Sequence, residues 1–320
     1  MKNSGYCIGV DLGGTNIAVG LVNLETKSIV RQFSIKTKAP RSCESISADI
    51  ADIVKKLCEA ENIVLGDLQW IGIGTPGIVK DDVVLAAFNL GWENAPFGKI
   101  LSDMTGRPTY VANDANAAAY AEAVWGAGEG AGSLIAFVLG TGVGGGIIID
   151  GKIWEGTNGF AAEMGHSILI PGGRLCACGK RGCIEAYCSA TALIKETRRV
   201  MGLYPESEMW KICEGDIQRV SGKTAFLAKA KGDVAGTIVV DEFINNLALG
   251  IENVINIFQP DVVCVGGGIS REGDNLLVPL REHIIHGTFG TETSRTKVVA
   301  AKFRNDAGII GAALLGLQKK

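Results

Sequence analysis

The sequence predicts an α/β protein made of two similar halves. Three observations lead there. A short apolar strand runs into a glycine turn and straight back into a second strand at 6–22, and the same layout returns at 133–149. Between and beyond these hairpins, apolar residues recur at helical spacing, interleaved with short apolar runs that read as strands. The chain has 320 residues, of which 47% are hydrophobic and 20% charged, enough for the cores of two domains.

Composition also excludes several classes. A net charge of −3 shows no basic excess for nucleic acid or an anionic membrane. The start, MKNSGYCIGVD, lacks the apolar stretch of a signal peptide, and no apolar run reaches about 18 residues, so no membrane span is expected. Nine cysteines, an odd and scattered set, suit a reducing cytoplasm in which disulfides do not persist.

Taken in order, 6–11 is a buried strand ending in Asp11-Leu12-Gly13-Gly14-Thr15-Asn16, with strands at 17–22 and 29–35 after it. Glycine in that turn lets backbone amides approach an anion. Asp11 stands where a carboxylate could hold magnesium, directly or through water. The plainer reading is a hairpin turn; no Lys follows at Walker spacing. Residues 42–62 place Ile46, Ile50, Ile53, Val54 and Leu57 on one helical face, with Ser42 or Ser45 as cap. A strand at 69–75 is broken by Gly74-Thr75-Pro76-Gly77. Phe88-Asn89-Leu90-Gly91-Trp92 reads as a loop, in which Asn89 fits a turn as well as a ligand. A helix at 97–105 stops at Gly106-Arg107-Pro108. A strand at 110–112 leads into Asn113-Asp114-Ala115-Asn116 and an alanine-rich helix to about 125. An acid there reads first as a helix cap. The helix N-terminus would hold it ionised, which predicts a weak base.

The second hairpin has a strand at 133–139, the turn Gly140-Thr141-Gly142-Val143-Gly144-Gly145-Gly146, and a return at 147–149. Two such hairpins could grip a nucleotide triphosphate from both sides. Helices are expected at 191–201, 241–258 and 278–286, with broken polar structure over 204–235. His283 and His286 read as surface residues. A strand at 261–265 runs into Gly266-Gly267-Gly268, which suits a nucleoside contact. An edge strand at 297–301 and an apolar helix at 307–317, packed across the N-terminal domain, complete the chain.

The most specific stretch is 163–185, EMGHSILIPGGRLCACGKRGCIE. His166, Cys176, Cys178 and Cys183 form a ligand set for a closed tetrahedral zinc site, at C-x-C-G-x-x-G-C spacing downstream of Gly-His. Glycines 172, 173, 179 and 182 let a short loop fold around an ion. Glu163 and Glu185 flank it.

This stretch resembles the signature of the ROK family of sugar kinases and repressors. D-x-G-G-T at 11–15 and V-x-N-D-A-N-A-A at 111–118 carry the resemblance across nearly the whole chain. It implies the actin-like ATPase (ribonuclease H-like) fold: α/β, two domains, duplicated βββαβαβα units, with nucleotide and sugar in the cleft between them. The corresponding domains are 1–116 plus 305–320, and 117–304. It implies ATP-dependent phosphorylation of a hexose at its 6-hydroxyl, with Asp114 as general base. Gly74, Asn89, Asn113, Asp114, Glu163, His166 and Glu185 would meet the sugar. Asp11, Gly13, Gly14, Thr15, Asn16, Gly140, Thr141, Gly142, Gly144, Gly267 and Gly268 would meet the nucleotide and its magnesium. FNLGWEN and 111–129 resemble the glucose-phosphorylating members, with N-acetylmannosamine, N-acetylglucosamine, mannose or fructose as alternative sugars. A ROK repressor needs an N-terminal helix-turn-helix domain, and Asp11 leaves no room for one. The resemblance further implies a cytoplasmic homodimer or dimer of dimers. On this reading zinc frames the sugar residues, and nucleotide binding is largely independent of it.

Overall fold

A computed structural model describes residues 5–289 and 296–319. Contacts group the chain into two units. The first takes residues 1–133, 146–162 and 302–320; the second takes 134–145 and 163–301.

The first unit opens with strands β1 (Tyr6–Leu12), β2 (Asn16–Asn23) and β3 (Ser28–Lys36), then helix α1 (Cys43–Ala60). Ser42 caps α1 by accepting a hydrogen bond from Ser45 N at 3.2 Å. The face anticipated from spacing (Ile46, Ile50, Ile53, Val54, Leu57) is buried in the main core. Strand β4 (Ile71–Thr75) follows, and then three short strands, β5 (Ile78–Lys80), β6 (Val83–Ala87) and β7 (Trp92–Ala95). These form an antiparallel meander where the sequence reading had only a loop. Their lengths of three to five residues leave too little alternation to detect. The β5–β6 turn is made by Asp81 and Asp82, both at positive φ (50° and 61°), in place of the usual Asn-Gly.

Helix α2 (Phe97–Thr105) ends at Gly106, left-handed at φ 66°. Strand β8 (Thr109–Asn113) runs directly into α3 (Asp114–Val124). The five-stranded sheet has the order β3-β2-β1-β4-β8, antiparallel through β1–β3 and parallel through β1, β4 and β8.

Strands β9 (Ser133–Leu139), β10 (Val143–Ile149) and β11 (Lys152–Ile153) follow. Residues 163–301 of the second unit then supply α4 (Glu185–Cys188), α5 (Ala190–Leu203), α6 (Glu208–Ile212), α7 (Thr224–Lys229), α8 (Val234–Phe258), β12 (Val262–Gly267), α9 (Asp274–Gly287) and β13 (Lys297–Ala300). The second sheet runs β11-β10-β9-β12-β13, repeating the first in order and direction, with β12 parallel to both β9 and β13. Helix α8 begins seven residues before the expected 241, capped by Asp233, which accepts from Gly236 N at 2.6 Å. Its first turns, VAGTIVV, are β-branched and glycine-containing, a strand-like composition that packing overrides. By length and composition α8 could cross a membrane, but 61% of its apolar window is buried inside the protein, as in a core helix.

The chain returns to the first unit as α10 (Ala307–Leu314). This helix lies directly on β1, β4 and α3. A Cβ on Gly72 would sit 1.7 Å from Ala312 O, and one on Gly311 would sit 1.8 Å from Ala117 O. Trp70 Nε1 and the Cys7 thiol both donate to Ala313 O, at 2.7 and 3.4 Å. This packing keeps α3 with the first unit, whereas the sequence reading divided the chain before Ala117. It also starts the returning segment at 302 rather than 305.

Candidate active site and metal centre

In the first unit the parallel strands β1, β4 and β8 end side by side. Asp11 is in register with Gly74, and Thr75 with Asn113. The carboxyl ends of parallel strands are where open α/β sheets bind ligands. The Gly13–Asn16 turn leaves β1, with Gly13 N donating to Asn16 O at 2.9 Å. Fully buried Thr37 braces it: its hydroxyl donates to Gly13 O at 2.6 Å, and its amide to Thr15 O at 2.9 Å. The sequence reading missed Thr37, which lies 24 residues from its partner. Gly14, Thr15 and Asn16 are exposed, and Asn89 comes beside the turn, its Cβ 3.7 Å from where a Gly14 Cβ would be. Gly74 has no side chain where Asp114 passes; a Cβ there would be 3.5 Å from Asp114 Cα.

The cap of α3 is Asn113, not Asp114. Asn113 Oδ1 accepts from Ala115 N and Asn116 N at 2.9 and 3.2 Å, and its amide donates to Gly77 O at 3.0 Å. Both ends of that side chain are thus occupied by the protein. Asp114, one residue on, accepts from Ala115 N at 2.8 Å. Burial pushes its carboxyl up to about 6, the Asp11 charge adds to the rise, and the Ala115 amide opposes it. Desolvation outweighs the helix N-terminus, so the carboxyl is more basic than the sequence suggested, while near neutral pH it stays mostly ionised. Burial also raises Asp11, whose carboxylate is packed against Gly308 in the first turn of α10. Asp11 and Asp114, both half-buried and near enough for the one charge to act on the other, form a donor set suited to a hard cation such as magnesium.

In the second unit, the turn Gly140–Gly142 joins β9 to β10, which begins at Val143 rather than at the expected 147. Gly140 O accepts from Ala190 N at 2.8 Å, Thr141 O from the Thr191 hydroxyl at 2.7 Å, and Val143 N donates to Glu185 Oε2 at 3.1 Å. Thr141 is exposed, and Gly142 and Gly144 are half-buried. At the neighbouring strand end, Gly267 pairs with Leu139 at φ 86°, and a Cβ on it would lie 2.3 Å from Leu139 O. Gly267 and Gly268 thus come beside the second glycine turn. A cavity of about 580 Å³ adjoins this turn, lined by Thr141, Gly142, Arg174, Cys176, Lys195 and Arg199 among others.

The cysteine loop folds as a tight hairpin. Leu169 N and Ile170 N donate to Gly182 O, and Gly182 N donates to Arg174 O. Gly182 is left-handed at φ 88°, and a Cβ there would meet Ile170 O at 1.8 Å. His166, Cys176, Cys178 and Cys183 place their donor atoms within 4.8 Å of one another. Cys178 Sγ to Cys183 Sγ and Cys176 Sγ to His166 Nδ1 are both 3.7 Å. A tetrahedron with zinc–sulfur bonds of about 2.3 Å has edges of about 3.8 Å, so the four residues fit zinc. The other ring nitrogen, His166 Nε2, lies 4.0 Å from Glu163 Oε2. Glu163 itself is exposed. No disulfide joins any of the nine cysteines, and His283 and His286 are exposed.

Arg174 anchors the loop to the unit's body, a role the sequence did not reveal. It reaches Glu196 on α5 and Glu242 on α8, both at 2.8 Å, and its guanidinium stacks 4.7 Å from the Tyr187 ring centre. Tyr187 in turn accepts from Arg174 N at 2.7 Å.

Duplicated sheets carrying matched strand–glycine turn–strand hairpins at their strand ends define the actin-like ATPase fold of sugar kinases. The chain belongs to the ROK family, whose pattern it matches over residues 7–319. It is 36% identical over 309 residues to a glucokinase of Thermotoga maritima, covering 96% of this chain and 95% of that protein. A xylose repressor of Caldicellulosiruptor bescii is 29% identical, covering 97% of this chain and 77% of the repressor. Among solved structures, a ROK family glucokinase from Streptomyces griseus in complex with glucose and AMPPNP matches with a TM-score of 0.78. It shares 35% identity, over 98% of this chain and 100% of that one.

Proposed function

We propose that this chain phosphorylates glucose at the 6-hydroxyl with ATP. The observation that carries the reading is Asp114, a carboxyl raised to about 6 at the joined ends of β1, β4 and β8, beside the first glycine turn. Near neutral pH it is ionised yet basic enough to take a proton, as a general base requires. It accepts the 6-hydroxyl proton as that oxygen attacks the γ-phosphorus; the bond to the bridging oxygen breaks, and ADP leaves with that electron pair. Phosphoryl transfer rests mainly on positioning and charge neutralisation. Asp11 would hold magnesium, which neutralises phosphate charge when bound. The glycine turns at Gly13, Gly14, Thr15 and Asn16 and at Gly140, Thr141, Gly142 and Gly144 receive the phosphates, and Gly267 and Gly268 the nucleoside.

Gly74, Asn89, Asn113, Glu163, His166 and Glu185 meet the sugar, whose vicinal hydroxyls both donate and accept. His166 divides its duties: Nδ1 faces the thiols and Nε2 faces Glu163. Asn113 retains one amide proton beyond its cap bonds. Zinc held by His166, Cys176, Cys178 and Cys183 would order the loop. The protein would work as a cytoplasmic homodimer or dimer of dimers. The test is a coupled assay with ATP across glucose, mannose, fructose, N-acetylmannosamine and N-acetylglucosamine. Glucose should give the highest kcat/KM; a higher value for another hexose would reassign the substrate.

A further inference from the structure

The residues at 185–191 leave the metal loop and at once grip the second glycine turn at three points. Glu185 Oε2 accepts from Val143 N, Ala190 N donates to Gly140 O, and the Thr191 hydroxyl donates to Thr141 O, at 3.1, 2.8 and 2.7 Å. The Glu185 carboxylate fills the space a side chain at 142 would need: a Cβ on Gly142 would lie 2.3 Å from Oε2. Its other oxygen, Oε1, lies 3.4 Å from Cys176 Sγ. Cys183, a second ligand of the metal cluster, is two residues away. One carboxylate therefore touches a metal-cluster sulfur with one oxygen and the nucleotide turn with the other.

We infer that Glu185 is a positioning residue for the nucleotide turn, so that the metal loop sets the geometry of ATP binding as well as that of the sugar. This rests on the kinase reading and extends it. Gly142 is then glycine because a carboxylate occupies that space, whatever the phosphate requires. Within the turn Gly140 N donates to Gly142 O at 3.0 Å, and β9 and β10 pair on either side of it. The three bonds from 185–191 add to this support and tie the turn to the metal loop.

The test compares Glu185→Gln with Glu185→Ala, by titrating a non-hydrolysable ATP analogue without sugar and following hydrogen exchange at the Val143 amide. Gln keeps an acceptor for Val143 N–H and presents its NH₂ to the Cys176 sulfur, so analogue affinity should stay within about threefold of wild type. Ala removes the acceptor, and affinity should fall about tenfold, the typical effect of losing a bond to a charged group, with faster exchange at Val143. Stripping the metal should weaken analogue binding in wild type but add little in Glu185→Ala. Should Glu185→Ala not fold, Thr191→Val carries the same test at Thr141 O, with weaker analogue binding and unchanged glucose binding. Analogue affinity equal to wild type in Glu185→Ala or in Thr191→Val, or an equal loss in Gln and Ala, would overturn the inference. Wild-type protein that binds no analogue would remove the kinase reading itself, and this inference with it.

Discussion

At Asp114, burial and the helix N-terminus pull one carboxylate in opposite directions, and burial prevails. Asp114→Asn should lower kcat by roughly 10² to 10⁴ while leaving glucose affinity largely intact, because Asn keeps the size and loses the base. A cap role would predict near-normal turnover, since Asn caps as well as Asp. The wild-type profile of kcat/KM against pH should fall as pH drops through about 6, where Asp114 takes up its proton. The same titration acts on stability. The folded state binds this proton more tightly than the unfolded chain, so Asp114's contribution is fully favourable below about pH 4 and declines as pH rises through about 6. Asp114→Asn should therefore be the more stable protein at pH 7, by up to about 3 kcal/mol, because a tenfold tighter hold on the proton corresponds to about 1.4 kcal/mol. Denaturant titration at pH 5 and pH 8 measures it; equal stability of the two proteins at pH 8 would contradict the assignment. Burial of this kind is a tertiary fact, which is why the sequence suggested the opposite.

At the scale of elements, α10 and the cysteine loop make the clearest demands. Strands β1 and β4 carry Gly9 and Gly72 under α10; a Cβ on either would fall within 2 Å of a helix carbonyl, at 1.9 and 1.7 Å. Gly72→Ala should cost several kcal/mol, beyond the roughly 1–3 typical of overpacking, because backbone rather than a flexible side chain must move. Thermal unfolding would read this as a large fall in Tm or as loss of soluble protein, and an unchanged Tm would contradict the packing. For the loop, wild type should hold about one equivalent of zinc by mass spectrometry. Cys178→Ser should release it and weaken glucose binding, while the unit's core, built on α8, survives. Retention of full zinc in that variant would exclude Cys178 as a ligand. The cysteine spacing made this loop legible from sequence, and the amphipathic face of α1 did the same for that helix. The β5–β7 meander was not legible, because its strands are short and its turn uses Asp81-Asp82. Thr37 and Arg174 were hidden for another reason: each is an ordinary residue whose role comes from partners 13 to 68 positions away.

Across the whole molecule, the duplication was the most readable feature. A strand, a glycine run and a returning strand is a pattern of residue types, and it appears twice. The division into units was less readable, since it depends on α10 holding α3 to the first unit. The chain should sediment and scatter as a dimer or tetramer of the 33.5 kDa protomer; light scattering that finds only the protomer at micromolar concentration would contradict the proposed assembly. The measurement that reaches the central claim most directly is turnover of glucose with ATP and magnesium by wild type and Asp114→Asn side by side, with the product identified by phosphorus NMR. The account predicts glucose 6-phosphate at a typical kinase rate, about 1–100 s⁻¹, from wild type, and a rate lower by at least about a hundredfold from the variant. Absence of glucose 6-phosphate from zinc-loaded wild type, or equal rates from the two proteins, would contradict it.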